Sequence, residues 1–277
     1  IGTGPYKFVS AISGDQVVLE RNDEYWNGQA AFERCIIKTV ADNNTAVLSV
    51  ESGDADVALN LPLAALVNIQ NPDVEWNSAL SFECGYLQYN FLESSWAGND
   101  TNFRKAVQYG VDKEAINQAV FYGQTNTPDI LGDETWTGRP TAGTYDSYTY
   151  DLDKAKEYLA QSDYDGREFK VVTWANTNLE KAAQVMQASL HEVGINMKIV
   201  AVDRATFWDE VRNTEDWDAC IHCLGASSLD MDAYNHFMMS MYPQYFNEKQ
   251  VLPNGQEMND LVIAGRLEPD QAKRIEI

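Results

Sequence analysis

KVVTWANTNLEKAAQVMQASLHEVGINMKIVAVDRATFWDEVRNTEDWDACIHCLGASSLDM, Lys170 to Met231, is the stretch whose reading decides the fold. An apolar run, Phe169 to Trp174, ends in a polar cluster, Ala175-Asn176-Thr177-Asn178. Apolar residues then recur at helical spacing (Ala182, Val185, Met186, Leu190) until Gly194, and a second apolar run covers Ile195 to Val202. Strand, helix and strand in that order make a parallel βαβ unit. A further helix around Phe207 to Val211 leads to a third apolar run, Ala219 to Leu224. Ligands bind in crevices at the carboxyl ends of such strands. A cleft is therefore expected beside Trp174 to Asn178 and Gly225 to Asp232.

Toward the N-terminus the pattern changes. A Gly-rich turn precedes short strands at Tyr6 to Val9 and Gln16 to Glu20, joined by Ser13-Gly14-Asp15, which reads as a hairpin. Phe32 to Val40 alternates as another strand, Asp42 or Asn43 caps a helix reaching Ser52, and Gly53 to Ala58 closes that helix and opens a strand. A single helix is expected over 103–121, stopped by Gly123, and another over 152–161, capped by Asp151. Between them, 124–149 carries five Pro and Gly residues that read as a long surface loop. Aromatics and methionines from Ala233 to Met241 predict a buried helix, Pro253-Asn254-Gly255 a turn, and Met258 to Gly265 a further helix. The chain opens on turn residues and stops inside a helical pattern, Pro269 to Ile277, which reads as a stretch of something longer.

Composition narrows the function. The 277 residues are 44% hydrophobic and 22% charged, a globular balance, with no membrane-length apolar run. Twenty basic against 42 acidic residues give a net charge of −22, which repels phosphate backbones and disfavours nucleic acid as a partner. Cys220-Ile-His-Cys223 has the spacing of zinc and redox sites, but no second pair accompanies it. On a strand, positions 220 and 223 point to opposite faces, so both read as buried structural cysteines, with His222 alternating away from them and a candidate to face the cleft. His191 falls late in a helix as a dipole partner and His236 in the Met-rich segment. No nucleophile elbow, zinc-protease motif, phosphate loop or dinucleotide glycine pattern occurs.

GTGPYKF, VVLERNDEYW and a helix closed by ESGDADVAL, in that order, resemble the family 5 extracellular solute-binding proteins of ABC importers, the peptide- and nickel-binding class. The segment Asn102 to Ile116 is similar to that family's "vRqAlnyAIDreai" helix, and Tyr150 to Leu159 to its "YDpekAkalL" helix. The resemblance is collinear over nearly the whole chain. It implies an α/β, periplasmic-binding-protein-like (class II-type) two-lobe architecture. Residues 1–81 would form a partial first lobe of hairpin, mixed sheet and short helix, and 82–277 a nearly complete second lobe. It further implies capture of a small solute, a peptide by preference, between lobes for an ABC permease, by a monomer without cofactor, on the extracellular side of the membrane (lipid-anchored) or in the periplasm.

Candidate ligand contacts follow from both readings. Trp174, Asn176 and Asn178 sit at a strand end, where an aromatic platform beside amides suits peptide or sugar recognition. Asn90, in Tyr89-Asn90-Phe91, matches a frequent asparagine of the family. Gly225 to Asp232 aligns with the family's "gw..D…DP" region, where an aspartate pairs with a peptide's α-amino group. Setting Asp230-Met231 over the family's Asp-Pro puts Ser227 at that aspartate and Leu224 near its tryptophan. A serine supplies no charge for a desolvated ammonium, so either Asp230, with Asp232 beside it, takes the role or the ligand lacks a free N-terminus. Two other classes remain open: a ligand-sensing domain of a regulatory protein, and a hydrolase using acidic pairs or a metal on Cys220, His222 and Cys223.

Overall fold

The computed structural model describes residues 2–81, 83–130, 143–225, 230–232 and 254–277. The expected helix at 233–241, Ser227 and His236 lie outside them, as do 131–142 and the side chain of Leu224. Two units divide the chain, Ile1–Asn77 and Ser78–Ile277.

The first unit holds an antiparallel sheet of β1 (Tyr6–Ile12), β2 (Gln16–Arg21) and β3 (Arg34–Lys38), in that order. The hairpin expected from Ser13-Gly14-Asp15 is present, with a register shift between Phe8 and Ser10, and β1 runs past its apolar stretch because pairing with β2 continues to Ile12. Helix α1 (Asn43–Glu51) starts where the Asp42 carboxylate accepts from the Thr45 backbone N–H at 2.8 Å. Gly53 to Ala58 opens no strand. That stretch is turn and irregular backbone leading to the short α2 (Leu63–Leu66), because the alternation of Asp54, Asp56 and Val57 has no neighbouring strand to pair with.

The second unit is built on a four-stranded sheet in the order β4-β7-β5-β6. Strands β5 (Phe169–Trp174) and β6 (Met197–Val202) are parallel, with Trp174 opposite Val202, and α7 (Asn178–Val193) joins them. Thr177 caps α7 through the Glu180 N–H, and Gly194 ends it in the left-handed region at φ 102°. Strand β7 (Ala219–Gly225) lies parallel to β5 and antiparallel to β4 (Glu83–Tyr89), so the Lys170–Met231 stretch supplies three of the four strands.

Helices α3 (Trp96–Asn99), α4 (Thr101–Gly110), α5 (Lys113–Phe121), α6 (Leu152–Ala160) and α7 accompany one core. In it Phe103, Val107, Leu190, Phe169 and Val171 are each at most 1% exposed. The expected single helix over 103–121 is two. Asp112 leaves helical geometry and caps α5 by accepting from the Ala115 N–H at 2.8 Å. Its neighbour Gly110 permits the close approach of α7, since a Cβ there would sit 2.8 Å from Val193 Cγ2. The opposite sheet face carries Val172, Trp217 and Cys220, covered by Phe207 and Val211 of α8 (Arg204–Asn213). Two C-terminal helices, α9 (Gly255–Leu267) and α10 (Gln271–Glu276), follow.

Candidate ligand-binding site

Because β5, β6 and β7 run parallel, their carboxyl ends share one sheet edge, and the side chains there come from sequence positions far apart. Trp174 is the last residue of β5 and half-buried, its ring meeting Phe207 edge-on at 5.7 Å. The Arg204 guanidinium lies over the same ring, 4.9 Å from its centroid. The indole N–H of Trp174 is covered and has no acceptor among the described residues.

The two amides expected beside it are both exposed. Asn176 adopts a left-handed φ of 60°, which turns the chain from strand into helix, and its N–H donates to Glu180 Oε2 at 2.6 Å. The cap of α7 is Thr177, whose hydroxyl also donates to the Trp174 carbonyl at 2.7 Å, and Asn178 is the first helical residue. Asn90 stands elsewhere. It is 1% exposed, donates to the Trp217 carbonyl at 2.8 Å and accepts from the Leu92 N–H at 3.0 Å. Both ends of its amide are thus spent on backbone, and it fastens the β4 exit to the start of β7.

His222 is 1% exposed, opposite Tyr86 in the β4–β7 pair. It shares the sheet face of Cys220, because residues two apart on a strand lie on one side, and packs near Phe207 and Trp208 at 5.9 and 5.7 Å. The expectation that it turns away from both cysteines is corrected: it turns away from Cys223 only. Burial pushes its pKa down to about 4, so the ring is neutral at physiological pH. Cys220 is fully buried and Cys223 half-buried, both free thiols. Among the described residues no group of three His, Cys, Asp or Glu side chains is placed to hold a metal.

Asp230 and Asp232 are each engaged. Arg274 of α10 grips Asp230 through two bonds, 2.6 Å to Oδ1 and 2.9 Å to Oδ2, a fork-to-carboxylate pair. Arg266 of α9 lies 3.3 Å from Asp232 Oδ1. A ligand ammonium at Asp230 would compete with an internal guanidinium.

Two shallow depressions, of about 360 and 400 Å³, lie at the other end of β5. Glu168, Glu215, Asp216 and Asp218 line the first beside Lys170, which is tied to Asp216 at 2.6 Å. Trp96 and Trp217 also line that recess, but it is open and dominated by acids, unlike the mostly apolar cavities that hold small molecules. The topological edge at Trp174 is the better candidate. Of the expected residues, this edge brings together Trp174, Asn176 and Asn178. Arg204 was not foreseen there. The signal available was a lone basic residue just after a strand end in a strongly acidic chain.

Comparison with known proteins agrees with this architecture. The chain is 26% identical over 223 residues to heme-binding protein A of Haemophilus influenzae, covering 78% of this chain and 40% of that protein. It is 26% identical over 265 residues to the oligopeptide-binding protein AppA of Bacillus subtilis, covering 89% and 48%. It therefore spans about half the length of the curated relatives it matches. The solved ABC transporter substrate-binding protein CtaP of Listeria monocytogenes superimposes with a TM-score of 0.81 at 22% identity, covering 99% of this chain and 56% of that one. The fold is thus the α/β fold of the periplasmic-binding-protein class. The family model for bacterial extracellular solute-binding proteins, family 5 (middle), matches residues 1–246, and the chain belongs to that family.

Proposed function

We propose that this protein is the solute-binding component of an ABC import system, which captures a small ligand, by preference a peptide, and delivers it to a membrane permease. Family membership over residues 1–246 is the observation that carries the reading. The similarity to AppA, named for oligopeptides and matched over 89% of the chain, favours a peptide. The ligand would contact the carboxyl edge of the second-unit sheet at Trp174, Asn176 and Asn178. Residues 1–81 and 82–277 would act as the two lobes. Work at the extracellular face, lipid-anchored or periplasmic, and action as a monomer without enzymatic turnover complete the proposal.

Asp230 bears on the ligand's chemistry. With Arg274 already paired to it, a free peptide N-terminus gains nothing there without displacing a bidentate partner. Peptides whose binding does not depend on a free amine fit this chain better. The test is a thermal-shift screen of the protein against peptide, sugar and metal libraries. Stabilisation by peptides, retained when their N-termini are acetylated, is the expected result. Stabilisation by none of the three libraries would sink the assignment.

A further inference from the structure

The least satisfied donors at the proposed ligand edge are Arg204 and Trp174. With 42 acids to 20 bases, an arginine in this chain is expected to find a carboxylate. Arg21 pairs with Asp23, Arg167 with Asp165, Arg266 with Asp232 and Arg274 with Asp230. Arg204, like Arg34 and Arg104, has no carboxylate partner among the described residues, and of the three it alone stands at the carboxyl end of β5 and β6. Asp203, the acid next to it in sequence, is committed elsewhere, accepting from the Ala205 and Thr206 N–H groups and the Thr206 hydroxyl. Glu180 holds the Asn176 N–H.

The register explains the placement. Trp174 stands opposite Val202 at the parallel β5–β6 edge, and Arg204 follows Val202 by two residues as the first residue of α8. Phe207, one turn on, supports the indole edge-on, and the guanidinium stacks on the ring at 4.9 Å. Stacking fixes the plane of the guanidinium while leaving its fork of N–H donors unspent. The covered indole N–H adds a second donor without an acceptor. An exposed, pre-oriented donor fork with no internal acid is built for an anionic acceptor, and its planar geometry matches a carboxylate in two parallel hydrogen bonds.

We propose that Arg204, held flat on Trp174, is a specificity residue that receives a carboxylate of the ligand. This rests on the peptide-binding reading above and adds to it the end of the ligand that is recognised. The chain would select short peptides by a free carboxyl group rather than by a free amine.

Short synthetic peptides that stabilise the protein, prepared as free acids and as C-terminal amides, test it by isothermal titration. The wild type is expected to prefer the acid on the order of tenfold, the worth of a charge-assisted hydrogen bond. Arg204→Gln should erase that preference by weakening the acid alone, and Arg204→Lys should keep part of it. Arg34→Gln, an exposed arginine of β3, should change neither. Equal affinity of the wild type for acid and amide overturns this proposal and leaves the solute-binding assignment standing. So does an equal weakening of both forms in Arg204→Gln, which marks a merely structural role. A wild type that binds no peptide of either form removes the peptide assignment and this inference together.

Discussion

His222 shows how one buried ring becomes a term in stability. Its side chain is held between Tyr86, at 4.5 Å and edge-on, and the rings of Phe207 and Trp208. Its Nδ1 lies 3.3 Å from the Cys223 carbonyl, which favours the charged form, but burial dominates and lowers the pKa from 6.5 to about 4. The sign follows from linkage. Above pH 6.5 the ring is neutral in both folded and unfolded chains and contributes nothing to pH dependence. As pH falls toward 4 the unfolded chain takes up the proton and the folded one does not, so stability declines over that window. The loss between pH 7 and pH 5 should be on the order of 2 kcal/mol. Urea unfolding at the two pH values measures it, and His222→Gln should flatten the slope between them. A slope that the substitution leaves unchanged would assign the acid sensitivity to other groups. Among the site residues, Trp174 and Asn176 were legible as strand-end positions because the apolar run stops abruptly there. Arg204 was not, because its neighbour lies 30 residues earlier and only the β5–β6 register brings the two together.

Asp112 carries the corresponding argument for an element. Helices α4 and α5 are separated by Val111 and Asp112, both in extended geometry, and the Asp112 carboxylate satisfies the first turn of α5. Removing that cap in Asp112→Ala should cost about 1 kcal/mol. Asp112→Asn, which keeps the acceptor, should cost a fraction of that, and equal losses in the two variants by urea titration would show that the cap is not what matters. The break was hidden in the sequence because Phe103, Ala106, Val107, Ile116 and Val120 keep an approximate helical period across it. The extended backbone of Val111 and Asp112 makes the break, and Gly110 just before it packs closely against Val193 and Leu190. The β5-α7-β6 unit was legible for the opposite reason. Two apolar runs bracket a helix with its own cap and a left-handed glycine, so local signals and tertiary contacts agree. Strand β4 gave no such warning: Glu83-Cys84-Gly85 begins it without an apolar pattern, and its place is set by pairing with β7, more than a hundred residues later.

For the whole molecule the dominant long-range term is the net charge of −22. Forty-two carboxylates on one chain repel each other more in the folded state, where they are closer together, than in the expanded unfolded chain. The internal offsets are small. Pairs such as Arg21–Asp23 and Arg167–Asp165 keep at least one partner more than half exposed, so solvent screens them and each adds little. Salt weakens both effects, but there are too few cations to neutralise the acids, so the repulsion is the larger quantity to be screened. Lowering the Debye length from about 30 Å at ~0.01 M to about 10 Å at ~0.1 M sodium chloride should therefore raise Tm. A gain on the order of 1 kcal/mol corresponds to roughly 2–4 °C for a domain of about 150–250 residues. Calorimetry across that range at pH 7 gives the measurement, at salt low enough that exclusion of ions from the surface contributes little. Guanidinium chloride and urea titrations supply an independent check, because the ionic denaturant screens as it unfolds. Its low-concentration arm should show a rise in stability before the fall, and urea should show none. A Tm that drops with added salt would mean that the ion pairs outweigh the repulsion, and the acidic surface would then be better balanced than its composition indicates.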